Sequence, residues 1–169
     1  MALISDIIRL SQLDEGEEMP RESVDLYAEA EEAEENLRTA AEEKGVKLSL
    51  TGDGAEISGV RRLVYEIIYN LCDNAIKYNR PGGSVEVRVT QSESEAAVTV
   101  ADTGIGIAPE DQARVFERFY RADKSRSKES GGTGLGLSIV KHAVQYHHGS
   151  IDLKSTPGEG ATIKVTFPK

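Results

Sequence analysis

The chain has 169 residues, of which 38% are hydrophobic, so it is long enough for one ordinary domain with its own core. Its net charge of −9 and its pI of about 4.9 argue against a nucleic-acid partner, whose phosphates would be repelled. No apolar run approaches the roughly 20 residues that span a bilayer, and the N-terminus lacks the basic region of a signal peptide. The single cysteine, Cys72, excludes an internal disulfide and is predicted to be a buried thiol. We therefore expect a soluble, cytoplasmic chain that is not inserted in a membrane.

The N-terminal part of the sequence is predicted to be mostly helical. Apolar residues at helical spacing predict a helix over 2–13, which ends in a segment containing Gly16 and Pro20. A long acidic helix is predicted over 23–44, and its glutamates are typical of a solvated face rather than of a metal or partner site. Alternating residues over 46–50 predict a strand. Because the chain opens within a helix, we expect it to be part of a longer protein.

The best predicted helix covers residues 60–78, which carry a broad apolar face. The elements expected after it are strands over 84–90 and 96–101, a short helix over 109–117, a basic loop over 121–133, a helix over 135–147 and closing strands over 150–155 and 161–167. Helices interspersed with hairpin strands favour an α+β chain. We expect a two-layer α/β sandwich in which a mixed sheet has helices on one face.

A glycine-rich run precedes the last predicted helix, with four glycines among the six residues 131–136. Glycines allow backbone N–H groups to approach an anion closely. A helix that starts near Gly134 points the positive end of its dipole in the same direction. The run therefore predicts a phosphate cradle.

One face of the 60–78 helix is polar, and its members fall within an arc of roughly 100°: Glu66, Asn70, Asp73, Asn74 and Lys77. A solvated face is the ordinary explanation, but asparagine is a poor residue for a helix interior. An asparagine oxygen at Asn74 suits Mg²⁺, and the ammonium of Lys77 suits phosphate. Both interpretations remain open at this point.

A third polar motif, Asp102-x-Gly104-x-Gly106, follows a predicted strand. A carboxylate at a strand end can accept a hydrogen bond from an exocyclic amine such as that of adenine. The two glycines would let a planar ring lie against the backbone. An ordinary Asp/Gly turn is the alternative.

The predicted loop over 121–133 carries positive charge in an otherwise acidic chain. Its basic residues are Arg121, Lys124, Arg126 and Lys128. Local basic charge of this kind suggests a bound anion such as a triphosphate, with a solvated loop as the alternative.

Together, four segments resemble the N, G1, F and G2 boxes of sensor histidine kinases in order and spacing: Asn70–Tyr78, Asp102–Ile107, Phe116–Arg121 and Gly131–Leu137. The resemblance covers about residues 22–169 and is nearest to the phosphate-sensor and related classical subgroup. It implies the Bergerat ATP-binding fold, which gyrase-type, chaperone and mismatch-repair ATPases share. Residues 1–15 resemble the end of the second helix of the dimerisation domain, so 16–22 would be a linker and 23–169 the catalytic domain.

The resemblance implies a site for ATP and Mg²⁺. It gives Asn74, helped by Asn70, to the metal, Lys77 to a phosphate, and Tyr78 to the sugar or base. It implies that Asp102 reads the adenine amine. The pocket around that amine would be shaped by Gly104, Gly106 and Ile107.

The remaining residues implied by the resemblance surround the phosphates. Tyr120 and Arg121 would border the nucleotide, and Arg121 or Arg126 would reach the γ-phosphate. The residues that would wrap the phosphates are Gly132, Thr133, Gly134, Leu135, Gly136 and Leu137.

The implied activity is transfer of the γ-phosphate of Mg·ATP to a histidine on a dimerisation helix that this sequence does not contain. Asn70, Lys77 and Arg121 would position the nucleotide. Hydrolysing relatives carry a glutamate as general base where this sequence has Asn70, which cannot accept a proton and so suits a kinase. The sequence does not decide whether Glu66 has a catalytic role. His147 and His148 are not expected to form a metal site, because adjacent helical residues face different ways.

The expected partners are the phosphoacceptor helices of the same full-length protein and the receiver domain of a response regulator. The parent protein would be membrane-anchored by analogy with the family. Two alternatives remain, an anti-sigma-type serine kinase and a non-catalytic module that only senses nucleotide.

Overall fold

The computed structural model describes residues 19–117 and 136–169, together with Ile4, Ile7, Ile8 and Ser11, which are helical and exposed. The elements of the main described ranges alternate between strands and helices. In chain order they are β1 (Glu22–Asp25), α1 (Leu26–Lys44), β2 (Lys47–Gly52), β3 (Glu56–Gly59), α2 (Arg61–Lys77), β4 (Ser84–Gln91), β5 (Glu95–Asp102), α3 (Pro109–Gln112), α4 (Gly136–Tyr146), β6 (Ser150–Thr156) and β7 (Gly160–Pro168). Among these described residues, no helix is long and apolar enough to cross a membrane.

Five strands form one mixed sheet in the order β2-β4-β5-β7-β6. Strands β2 and β4 run parallel, and the other neighbours are antiparallel. Val87, Val100 and Ile163 lie side by side across three strands and are all buried. Helices α1, α2 and α4 pack with this inner face in one hydrophobic core. The predicted α+β sandwich, with helices on one face of a mixed sheet, is thus confirmed.

The apolar face of α2 fixes how the helix sits in this core. Leu63, Val64, Ile67 and Ile68 have no exposed surface, so the opposite side of the helix must carry its polar residues. Cys72 is also buried, as predicted, and its burial raises the pKa of its thiol to about 12. The thiol is therefore protonated at neutral pH and acts as a small apolar group.

The start of the acidic helix differs from its predicted position at residue 23. Glu22–Asp25 is a strand that pairs with β3, a strand that the sequence pattern did not reveal. Asp25 sits at the boundary and caps α1, because its Oδ1 accepts hydrogen bonds from the amides of Tyr27 (3.0 Å) and Ala55 (3.1 Å). At the other end Gly45 has φ +77° and terminates the helix after Lys44, which agrees with the predicted end at residue 44.

The other helices are slightly shorter than predicted. The helix expected over 109–117 is confined to Pro109–Gln112 and continues as turns to residue 117. Among the described residues the last helix covers Gly136–Tyr146 and ends one residue before its predicted end at 147. The predicted basic loop over 121–133 lies outside the described residues.

Candidate nucleotide-binding site

The start of α4 faces the polar side of α2. A Cβ atom added to Gly136 would lie 3.3 Å from Oδ1 of Asn70 and 3.9 Å from Nδ2 of Asn74. The last glycine of the glycine-rich run therefore lies beside the two asparagines, with little more than the space of a methyl group between them. Two of the motifs singled out in the sequence meet at this point, although more than 60 residues separate Asn74 from Gly136.

The amide of Asn70 is oriented by the helix that carries it. Its Nδ2 donates a hydrogen bond of 2.8 Å to the backbone carbonyl of Glu66, which leaves Oδ1 facing Gly136. Side-chain amide oxygens are hard, neutral ligands of the kind that Mg²⁺ accepts alongside water and phosphate oxygens. Asn70 and Asn74 lie beside the backbone of Gly136, which has no side chain. This arrangement therefore fits a magnesium–phosphate group.

Lys77 lies one turn beyond Asn74 on the same helix. Its Nζ is 2.9 Å from Oδ2 of Asp73, and both side chains are partly exposed. The ammonium is thus held along the polar face of α2 by an i,i+4 ion pair. A phosphate that binds Lys77 has to compete with Asp73 for this charge.

Asp102 ends β5 and is partly buried. Its Oδ1 accepts hydrogen bonds from the amides of Gly104 (2.8 Å) and Ala161 (3.2 Å). Burial raises the pKa of this carboxyl, and the two amide hydrogen bonds partly offset the rise. Among the described residues nothing donates a hydrogen bond to Oδ2, so this oxygen can accept one from a ligand amine.

The two glycines of the Asp102 loop are required by the protein's own backbone. A Cβ on Gly104 would stand 2.5 Å from the carbonyl oxygen of Tyr78. Gly106 has φ +74°, and a Cβ there would collide with the carbonyl oxygen of Thr156. The sequence pattern left two reasons open for these glycines, the approach of a planar ring and an ordinary Asp/Gly turn, and the structure adds close packing on the end of α2 and on the β6–β7 turn.

The loop from Asp102 to Ile107 is fastened by residues that the sequence analysis did not single out. The amide of Ile107 donates to Oγ of Ser155 (2.7 Å), and Nε2 of Gln112 donates to the carbonyls of Ile107 (2.9 Å) and Ser155 (3.1 Å). Arg80 joins the same loop to the β6–β7 turn. These contacts link residues distant in sequence, so no local pattern marks them.

Two other predicted site residues, Tyr78 and Leu137, lie in the described part of the chain. Tyr78 caps the C-terminus of α2 and is partly buried, and its carbonyl accepts a hydrogen bond from Ile105 (3.1 Å). The side chain of Leu137 packs against the hydrophobic core, which leaves only its backbone to face a phosphate. The residues that lie outside the described part of the chain are Tyr120, Arg121, Arg126, Gly132, Thr133, Gly134 and Leu135.

His147 has a structural role at the end of α4. Its Nε2 accepts a hydrogen bond from the amide of Val60 (3.0 Å), the N-cap residue of α2, so Nδ1 carries the proton and donates to the carbonyl of Ala143 (2.7 Å). Burial lowers the pKa of this imidazole, which is only 3% exposed. The Nε2 hydrogen bond therefore joins the end of α4 to the start of α2, Nδ1 bonds back to α4, and the ring packs edge-on against Phe167.

Residues 59–169 match the family described as histidine kinase-, DNA gyrase B- and HSP90-like ATPases. This chain belongs to that family. The match includes α2, the Asp102 loop and α4, so the resemblance seen in the sequence is confirmed for the elements that build the site. The chain thus carries the ATP-binding domain that defines the family.

Several sensor histidine kinases are similar to the whole chain. The sensor-like histidine kinase SenX3 of Mycolicibacterium smegmatis is 41% identical over an alignment of 171 positions, which covers 99% of this chain and 44% of the relative. The sensor protein SrrB of Staphylococcus aureus is 33% identical over 99% of this chain and 29% of its own length. The chain therefore spans less than half of the curated relatives it matches.

Solved structures of this class have the same fold. The mycobacterial sensor histidine kinase MprB has a TM-score of 0.77 at 29% identity, covering 88% of this chain and 97% of that structure. Full-length ShkA in complex with AMPPNP has a TM-score of 0.86 at 26% identity, covering 99% of this chain and 35% of that structure. The fold and the domain class found here are those of histidine kinase catalytic domains.

Proposed function

We propose that this chain binds Mg·ATP and transfers its γ-phosphate to a histidine on a dimerisation helix, as the catalytic part of a sensor histidine kinase. Residues 23–169 would be the catalytic domain, 16–22 a linker, and 1–15 the end of the second dimerisation helix. The observation that carries the proposal is the close approach of Gly136 to Asn70 and Asn74. It joins a glycine-rich helix start to a pair of metal-binding amides.

This close approach favours a metal-bound polyphosphate over a simple anion. The first turn of α4 offers backbone N–H groups and the positive end of a helix dipole, which favour phosphate oxygens. The amides of Asn70 and Asn74 add oxygen ligands for Mg²⁺, which in turn neutralises phosphate charge. In this proposal Asn70 and Asn74 hold the metal, and Lys77, released from Asp73, contacts a phosphate.

At the other end of the site, Asp102 supports recognition of adenine. Its Oδ1 is occupied by two backbone amides, so the direction of Oδ2 is fixed before a ligand arrives. A partly buried carboxylate oxygen is a strong acceptor for an exocyclic amine. Gly104, Gly106 and Ile107 shape the backbone beside it. The pocket is therefore expected to prefer adenine to guanine, which presents a carbonyl at the equivalent position.

The residue one turn before Asn74 supports phosphotransfer over hydrolysis. Asn70 has no proton-accepting group, and its amide nitrogen is bound to the carbonyl of Glu66. Water therefore lacks a base at this position, and bound ATP would survive until an acceptor imidazole approaches. Catalysis would come from placement and charge, with Arg121 or Arg126 completing the contacts to the γ-phosphate.

The partners proposed for the whole protein follow from its relatives. SenX3 is named as a sensor-like histidine kinase and SrrB as a sensor protein, and this chain matches less than half of each. We propose that the phosphoacceptor helices belong to the same full-length protein and that the phosphoryl group passes to a response-regulator receiver domain. Membrane anchorage of the full-length protein is proposed by the same analogy.

A trans-phosphorylation assay tests the proposal. The chain is incubated with Mg·ATP and an added protein that consists of histidine-kinase dimerisation helices with their acceptor histidine. We expect acid-labile phosphohistidine on the added domain, dependent on Mg²⁺, and none on this chain alone. Acid-stable phosphoserine on the added protein would instead indicate a serine kinase. ATP hydrolysis with no transfer to the acceptor would indicate that position 70 does not restrain water.

A further inference from the structure

Arg80 follows the C-terminus of α2 and points its guanidinium across the Asp102 loop. Its Nη2 donates to the carbonyl of Gly104 (3.0 Å) and to the carbonyl of Gly158 (2.7 Å). Among the described residues no carboxylate pairs with Arg80, although the chain is acidic. The positive charge is thus used to bridge two backbone segments.

One of those segments leads to the predicted adenine acceptor. The peptide between Gly104 and Ile105 is held on both sides by the end of α2, since its carbonyl accepts from Arg80 and its N–H donates to the carbonyl of Tyr78 (3.1 Å). The amide of Gly104 donates in turn to Oδ1 of Asp102. Arg80 does not contact the carboxylate of Asp102, but it is connected to it through two hydrogen bonds that share Gly104.

The second segment is the β6–β7 turn, which is packed against the same loop. The amide of Gly158 donates to the carbonyl of Ile105 (2.8 Å), while its own carbonyl accepts from Arg80. A Cβ on Gly160 would collide with the carbonyl oxygen of Asp102. Arg80, the loop and the turn thus form a closed set of backbone contacts on one side of Asp102.

We infer that Arg80 is a positioning residue for nucleotide binding, which holds the Asp102–Ile107 loop and the β6–β7 turn in the shape that receives adenine. This inference rests on the proposed function. An arginine is suited to the task because one of its nitrogens can donate to two carbonyls at once, and charge-assisted bonds are the stronger ones. A loop that is ordered before binding loses less conformational entropy when the ligand enters.

The inference separates Arg80 from a phosphate-binding role. Arg80 lies beyond the end of α2 and contacts the Asp102 loop, whereas Asn74 lies on α2 near Gly136. Arg80 lies at the adenine end of the site and the asparagines at the phosphate end. The contribution of Arg80 should therefore be the same for nucleotides that differ only in their number of phosphates.

The test compares wild type and Arg80→Met by calorimetric titration with AMP, ADP and a non-hydrolysable ATP analogue. We expect all three affinities to fall by the same factor, about threefold to tenfold, because charge-assisted hydrogen bonds that order the loop are lost. The matched control is Arg88→Met, which removes an exposed guanidinium that pairs with Glu86 on β4. The control should bind each nucleotide as wild type does.

Hydrogen exchange in the free protein supplies the second readout. Arg80→Met should speed exchange at the amides of Ile105 and Gly158, while the amides of α2 and the sheet keep wild-type protection. A general loss of stability would raise exchange throughout, and this result would overturn a positioning role.

The titration outcomes separate this inference from the proposed function. A loss that grows with phosphate number would make Arg80 a phosphate ligand and would overturn the inference. Unchanged affinities in Arg80→Met would also overturn it. If wild type binds none of the three nucleotides, the proposed function itself fails.

Discussion

Asp102→Asn is the substitution that most cleanly separates nucleotide recognition from folding. The asparagine keeps an oxygen where Oδ1 accepts the amides of Gly104 and Ala161, so the loop retains its anchors. Its amide nitrogen then takes the position of Oδ2. A donor replaces an acceptor at the point where the adenine amine is expected to bind, and both groups would offer hydrogens.

The expected loss follows from the hydrogen bond that is removed. A hydrogen bond to a charged group contributes about 1.5–3 kcal/mol, so its loss should raise the dissociation constant for the ATP analogue by roughly 10- to 150-fold. Stability should change little at neutral pH. Burial raises the pKa of Asp102, so its ionised form is a cost to the folded state that grows as pH rises through the folded pKa. The neutral asparagine avoids this cost, but its uncharged oxygen accepts weaker hydrogen bonds from the amides of Gly104 and Ala161.

The assay is titration with an ATP analogue, accompanied by thermal unfolding. We expect the affinity loss above, with a melting temperature within about 4 °C of wild type. Asp152→Asn removes an exposed carboxylate from β6 and is the control, which should bind normally. Binding by Asp102→Asn within twofold of wild type, with the fold intact, would refute the assignment of Asp102 to the adenine amine.

Three further predictions concern stability and phosphate contact. Lowering the pH from 7 to about 5.5 should destabilise wild type more than His147→Phe, because burial holds the pKa of this imidazole below its ordinary value and the unfolded chain takes up the proton first. An equal fall in the free energy of unfolding of the two proteins, measured with urea at each pH, would contradict this. The folded state of Gly106→Ala should be less stable than that of Gly82→Ala by at least about 1–2 kcal/mol. Both glycines have positive φ, but only at Gly106 does a backbone oxygen occupy the space of a Cβ. Equal melting temperatures of the two variants would contradict the packing of Gly106 on Thr156. Lys77→Met should weaken ATP-analogue binding by about 5- to 20-fold but AMP binding by less than twofold, a pattern that separates a phosphate contact from a structural ion pair.

The elements that build the site were largely predictable because their signals are local. Helix α2 buries eight residues at helical spacing between Leu63 and Ile76 and has a polar edge, and hydrophobic periodicity reports such a face directly. The glycine runs and the Asp102 loop are likewise contiguous in sequence. Their order and spacing identified the family before any contact was known, and the family match confirmed it.

The parts that were missed depend on contacts between distant residues. Strand β3 is only four residues long and is stabilised by pairing with Glu22–Asp25. The same pairing, with the cap at Asp25, moved the start of α1 to Leu26. Arg80 and Ser155 act through hydrogen bonds that span 24 to 78 residues and 48 residues respectively, so no window of sequence displays them.

The position of the Asp102 loop was predicted correctly from its glycines, but the structure adds a reason for these glycines that the sequence does not show. Their spacing was sufficient to mark the loop. The physical need for them came from the carbonyls of Tyr78 and Thr156, which belong to elements on either side. A motif can therefore be recognised from sequence while the constraint that preserves it is visible only in the packed structure.

The most direct test of the central claim is calorimetric titration of a non-hydrolysable ATP analogue, with and without Mg²⁺, into wild type and Asn74→Ala. Asn36→Ala, which removes an exposed amide that bonds to Tyr65, is the matched control. The account predicts binding that Mg²⁺ strengthens in wild type and in the control, and no strengthening by Mg²⁺ in Asn74→Ala. Binding with equal Mg²⁺ dependence in all three proteins, or no binding by wild type, would contradict it.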